Sequence, residues 1–119
     1  MMNNQIREDL LITALEGGSN WWYFINDYST KIIALFKTKH NSFSEAAWMA
    51  IKSGKTFSIS DAETAVFLGN INLESIKKGE KIMKLKHKEH YANAISENWD
   101  AETADVWFQL AVMNELRFG

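Results

Sequence analysis

Six lysines, Lys77, Lys78, Lys81, Lys84, Lys86 and Lys88, fall within a dozen positions, together with His87. Helical spacing sets Lys77, Lys81, Lys84 and Lys88 along one stripe. There they can neutralise the phosphates of a nucleotide or a nucleic acid, or face an acidic protein surface. An ordinary solvated helix face has the same spacing. Arginine occurs only at Arg7 and Arg117. The bidentate forks that read base edges are therefore scarce, and sequence-specific nucleic-acid recognition is not expected.

The second group is aromatic. Asn20 leads into Trp21, Trp22, Tyr23 and Phe24, whose flat faces could stack on a base for roughly 1–3 kcal/mol each. Alternation along a strand would send Trp21 and Tyr23 to one face and Trp22 and Phe24 to the other. The block is then either core or subunit contact, or it offers at least one ring to a ligand. The preceding Gly17 and Gly18 fit both readings, since glycines expose amide donors and also end helices. The candidate ligand-binding set is Asn20, Trp21, Trp22, Tyr23, Lys84, Lys88 and His87.

Metal and catalytic chemistry have less support. His87 and His90 stand three apart on one expected helix and could face one ion, with Glu89 or Asp105 joining, but two ligands do not make a site. His40 falls in an expected loop. Asp61 with Glu63, and Glu102 with Asp105, could do acid and base work, yet the first pair suits a turn and the second a helix start. Asp105 and Gln109 interrupt an otherwise apolar helix, so they either hold an internal network or face a small ligand. No nucleophile constellation, metal cluster or phosphate loop is visible. The expectation is a protein that binds without catalysing, with no cofactor and no structural zinc.

These residues need a scaffold. At 119 residues and 46% hydrophobic content, with 24% charged residues and a formal net charge of -2, the chain suits a single domain over 1–119 with one core and no global basic field. Cysteine is absent, which removes disulfides and thiolate sites. Arg7, Glu8 and Asp9 break the apolar stretch that a signal peptide would need, and no run reaches membrane-spanning length. A cytosolic protein without a membrane segment is expected.

The pattern predicts an α+β fold, with helices packed around a small antiparallel sheet containing a β-hairpin. A helix is expected over 4–16, stopped in left-handed fashion by Gly17 and Gly18. The aromatic block leans to strand, and residues 31–37 are open between helix and strand. Ser42 and Glu45 form a capping box for a helix over 43–53, with Gly54 as its stop. Residues 56–60 and 65–68 read as hairpin strands around a polar turn at 61–64. A helical turn over 73–78 should end near Gly79, and a longer helix follows over 80–97. Asp100 caps the last helix. Its apolar residues cover nearly the whole circumference, as in a helix buried centrally or at a subunit contact, so a homo-oligomer is one expectation.

At Glu16-Gly-Gly-Ser-Asn-Trp-Trp-Tyr, Asp61-Ala-Glu, Asp100-Ala-Glu-Thr-Ala-Asp-Val-Trp-Phe-Gln and Glu115-Leu-Arg-Phe-Gly, the chain resembles small uncharacterised proteins of phages and prophages. The resemblance covers most of the chain. Trp21 stands where that family usually has tyrosine, Asn114 where it usually has glycine, and Asn93 where it often has aspartate. The resemblance implies a phage accessory role in the host cytoplasm and no particular reaction. One expectation is capture of a nucleotide-derived signalling ligand to counter host defence. The other is a protein–protein interaction module that inhibits a host enzyme.

Overall fold

The computed structural model describes residues 2–119. Within them, six α-helices and a π turn surround a three-stranded antiparallel sheet in the order β1-β2-β3, the α+β arrangement expected. The Cα radius of gyration, 13.2 Å, matches the roughly 13.5 Å of a compact chain this long.

Helix α1 (Asn4–Thr13) begins where the Asn3 side chain accepts from the Ile6 N–H. It widens into the π turn Ala14–Gly18 instead of stopping in a left-handed residue, and the backbone departs at Gly17 with φ 162. The neighbouring glycine serves close approach. A Cβ on Gly18 would lie 3.1 Å from the Ala101 carbonyl oxygen and 3.3 Å from that of Thr13.

Strand β1 (Tyr23–Ile25) pairs with β2 (Phe57–Asp61), which pairs with β3 (Phe67–Ile71). The hairpin turn is organised by Asp61, whose carboxylate accepts from the N–H groups of Glu63 and Thr64. Ala65 takes a positive φ of 63 there, and a bulge between Ile59 and Ser60 shifts the register. The second strand thus starts later than the apolar run at 65–68 suggested.

The stretch at 31–37 is helical through Ala34 and then turns. Helix α2 (Asp27–Ala34) is tied to β2 by the buried Ser29 hydroxyl, which accepts from the Ser58 N–H at 2.9 Å. Helix α3 (Phe43–Lys52) has the Ser42/Glu45 capping box, and Gly54 beyond its end has φ +100.

The expected break at Gly79 is absent. Helix α4 (Leu73–Lys86) opens with a reciprocal Asn72/Ser75 box and runs straight through Gly79. Its break comes at His87, with φ -133 and ψ 56, and α5 (Lys88–Ile95) follows. Gly79 stays in the helix because packing requires it. A Cβ there would lie 2.6 Å from the Leu110 backbone.

Leu110 belongs to α6 (Ala101–Met113), capped by Asp100 and closed by Asn114 at φ 63, a conformation asparagine tolerates better than most residues. The helix is buried from Thr103 to Met113 except at Asp105, and α4, the π turn, β3, α1 and α5 pack around it. Its apolar circumference is therefore filled by its own chain. Each large side chain fully enclosed there, such as Trp107, Phe108 and Leu110, contributes about 1.5–3 kcal/mol.

Candidate functional site

The lysine run produces a cleft. Lys77, Lys81 and Lys84 of α4 line a cavity of about 450 Å³ with Arg7 of α1, Tyr91 of α5, Met2 and Glu80. Successive helical turns present the three lysines to one side, and the break at His87 allows Tyr91 to stand across from them. Lys84 Nζ lies 5.9 Å from the centre of the Tyr91 ring, a cation–π distance.

Beneath this surface is a buried ion pair. Glu80 accepts from Arg7 Nε at 3.0 Å and Nη2 at 2.8 Å, and from the Trp107 indole N–H at 3.0 Å. The hydrogen bond to Glu80 holds the Arg7 guanidinium above its ordinary pKa, against the opposing effect of burial. Glu80 is the sole carboxylate in the lining and it is already paired, so the three lysines leave the cleft cationic.

The aromatic block is divided. Trp22 is 2% exposed and Tyr23 9%, whereas Trp21 is 54% exposed and Phe24 40%. Strict alternation fails because the strand begins only at Tyr23, while Trp22 lies in a turn closed by its N–H donating to the Ser19 carbonyl. Burial raises the Tyr23 phenol pKa well above its usual value. Trp22 and Tyr23 pack against Phe108 with ring centres 5.6 and 5.0 Å away, so both belong to the core. Asn20 is exposed.

Trp21 lines a different cavity of about 510 Å³, together with Gln109, Leu116 and Phe118. Nothing in its lining is shared with the lysine cleft. The expected site therefore separates into two. Lys84 remains in the cationic cleft. Lys88, the first residue of α5, lies outside its lining, and His87 sits half-buried at the helix junction.

Asp105 and Gln109 form an internal network. Asp105 Oδ1 accepts from the Ser19 hydroxyl at 2.5 Å and the Trp22 indole at 2.7 Å, and Oδ2 accepts from Gln109 Nε2 at 2.8 Å. These bonds engage the carboxylate fully and make it a brace between the π turn and α6.

The histidine pair does not share a helix. His90 Nδ1 lies 2.9 Å from the Thr103 hydroxyl and its Nε2 3.9 Å from Glu102, while His87 stands at the junction. Among the described residues, no group of three or more His, Asp or Glu side chains is placed to hold a metal. Among them too, no helix is long and apolar enough to cross a membrane.

The chain matches no family model, no curated protein and no solved structure.

Sequence reasoning missed Tyr91, Arg7 and Glu80 as cleft residues. Tyr91 had no helical-spacing signal, because the chain breaks at His87 between it and Lys84. Arg7 and Glu80 had none, because their pairing depends on how α1 packs beside α4.

Proposed function

We propose that the chain is a non-enzymatic binding protein that captures a nucleotide-derived anion in the cleft between α1, α4 and α5. The observation that carries this reading is the convergence of Lys77, Lys81 and Lys84 with the Tyr91 ring on one cavity of about 450 Å³. Lysine ammonium groups act as point charges for phosphate, and Tyr91 offers an aromatic surface for a base. The paired Glu80 contributes little repulsion. Use of such capture by a phage against a host signalling system follows from the resemblance of the motifs alone.

The test is native mass spectrometry of the purified chain with a panel of cyclic and ADP-ribose-type nucleotides. At least one should bind stoichiometrically, and Tyr91→Ala should weaken it by about tenfold, in line with roughly 1–3 kcal/mol for a lost stacking contact. Absence of binding across the panel would remove the proposal.

One observation favours a second reading, an interaction module directed at a host enzyme. Phe24 and Phe67 stand on either side of Ser60 in the sheet register, and both are exposed. A single stoichiometric partner in host lysate, lost in Phe24→Ser/Phe67→Ser but retained by Tyr91→Ala, would favour this reading over nucleotide capture.

A further inference from the structure

Residues 115–119 are held by contacts that do not depend on their being joined to α6 behind them. Gln109 Oε1 accepts from the backbone N–H groups of Arg117 at 2.9 Å and Phe118 at 3.0 Å, and its Nε2 donates to the Phe118 carbonyl at 2.8 Å. One side-chain amide thus recognises a stretch of main chain with both its oxygen and its nitrogen. The Phe118 ring stacks on Trp22 with centres 5.0 Å apart and planes 11° apart, and meets the edge of Trp21 at 6.2 Å. Away from these contacts, residues 114–117 are exposed.

The turn that folds the segment back is concentrated in Asn114, at φ 63 just beyond α6. Rotation at one exposed residue would release the strap and leave the slot intact. Trp21, already 54% exposed at the slot's rim, provides further apolar surface for an incoming chain to cover.

We propose that two copies of this chain exchange residues 115–119, each placing its Phe118 on the other's Trp22 and its backbone on the other's Gln109. The occupant fits because the same segment fills the slot within one chain. The exchange repeats the same contacts twice around a two-fold axis. The closed strap competes at an effective concentration in the range of about 1 mM, so exchange in the unaltered chain grows as protein concentration approaches that value.

The test is light scattering on the full chain from about 10 µM to about 1 mM, beside Asn114→Pro. Proline cannot adopt the positive φ of the closing turn and lacks the N–H that Asn114 donates to the Leu110 carbonyl at 3.0 Å, so the variant opens the turn at the end of α6 while the residues of strap and slot stay as they are. Unaltered protein should be monomeric at the low end, with dimer growing toward the high end. Asn114→Pro should dimerise at a concentration at least about tenfold lower, with helical circular dichroism kept apart from the last turn of α6. In an equal mixture of isotope-labelled and unlabelled Asn114→Pro chains, the Phe118 ring should give an intermolecular nuclear Overhauser effect to the Trp22 indole. A folded Asn114→Pro monomer at about 1 mM, or a dimer without that contact, would overturn the proposal.

Should Asn114→Pro not fold, the unaltered chain is titrated with the capped peptide Glu-Leu-Arg-Phe-Gly to about 10 mM. Once the peptide displaces the strap, its unlabelled Phe ring should give an intermolecular nuclear Overhauser effect to the Trp22 indole of the isotope-labelled chain, and absence of that effect would equally overturn exchange.

Discussion

Trp22 donates its indole N–H to Asp105 across 2.7 Å, joining residues 83 positions apart in the chain. The bond fixes Trp22 in the core while its neighbour Trp21 points outward. The other donors to Asp105, Ser19 and Gln109, link the same carboxylate to the π turn and to the slot that holds Phe118. Replacing Asp105 with alanine strands these donors. Asp105→Ala should lose about 3–5 kcal/mol in urea unfolding, and Asp105→Asn, which retains one acceptor oxygen, should lose less.

Gly79→Ala separates helix propensity from packing. In an open helix interior, alanine is more favourable than glycine by about 1 kcal/mol. Here the added carbon would sit 2.6 Å from the Leu110 backbone and push α4 away from α6. The expected outcome is a net loss of about 2 kcal/mol or more, seen as a lower thermal midpoint. An unchanged or raised midpoint would mean that the two helices do not approach this closely.

Glu80 is exposed to a different failure. Glu80→Ala leaves the largely buried Arg7 guanidinium and the Trp107 indole without their acceptor, at a cost of about 3–5 kcal/mol. The double variant Arg7→Met/Glu80→Leu removes both charges and should recover much of that loss. Chemical denaturation of Arg7→Met, of Glu80→Leu and of the double variant gives the coupling directly.

Asp61 supplies a pH signature. Backbone hydrogen bonds from Thr64, and then from Glu63, hold its carboxyl below the ordinary value of 3.8. A folded-state pKa below the unfolded one contributes stability above about pH 4, and that contribution is lost as pH falls through the folded value. Asp61→Ala should therefore melt at a lower temperature than the unaltered chain near pH 6. The gap should narrow by about pH 2.5. Melting curves at the two pH values check the sign.

Much of the architecture was written locally. Ser42 with Glu45, Asp100 before α6, and the polar turn after Ser60 each satisfy backbone groups within a few residues, so the signal lies beside the structure it causes. Gly17 and Gly18 do end the first helical run, though without a left-handed residue, whereas Gly79 misled for the opposite reason. Glycine reads locally as a stop, but at Gly79 it is required by the backbone of a distant element. Lys84 was correctly placed on a cationic surface, yet the aromatic partner in its cleft is Tyr91, reached across the break at His87. Trp22 gave no sign that its indole would be claimed by Asp105, a contact only the packed fold creates.

Calorimetric titration of the full chain with the same nucleotide panel asks whether the cleft of Lys77, Lys81, Lys84 and Tyr91 takes a nucleotide-derived anion, as proposed. At least one ligand should bind with a Kd tighter than about 10 µM, and Lys77→Ala/Lys81→Ala/Lys84→Ala should weaken it by at least about a hundredfold. The charge-matched control Lys31→Ala/Lys37→Ala/Lys39→Ala, on exposed positions elsewhere, should leave the affinity within about threefold. No binding across the panel, or equal weakening in both triple variants, would rule out nucleotide capture in this cleft.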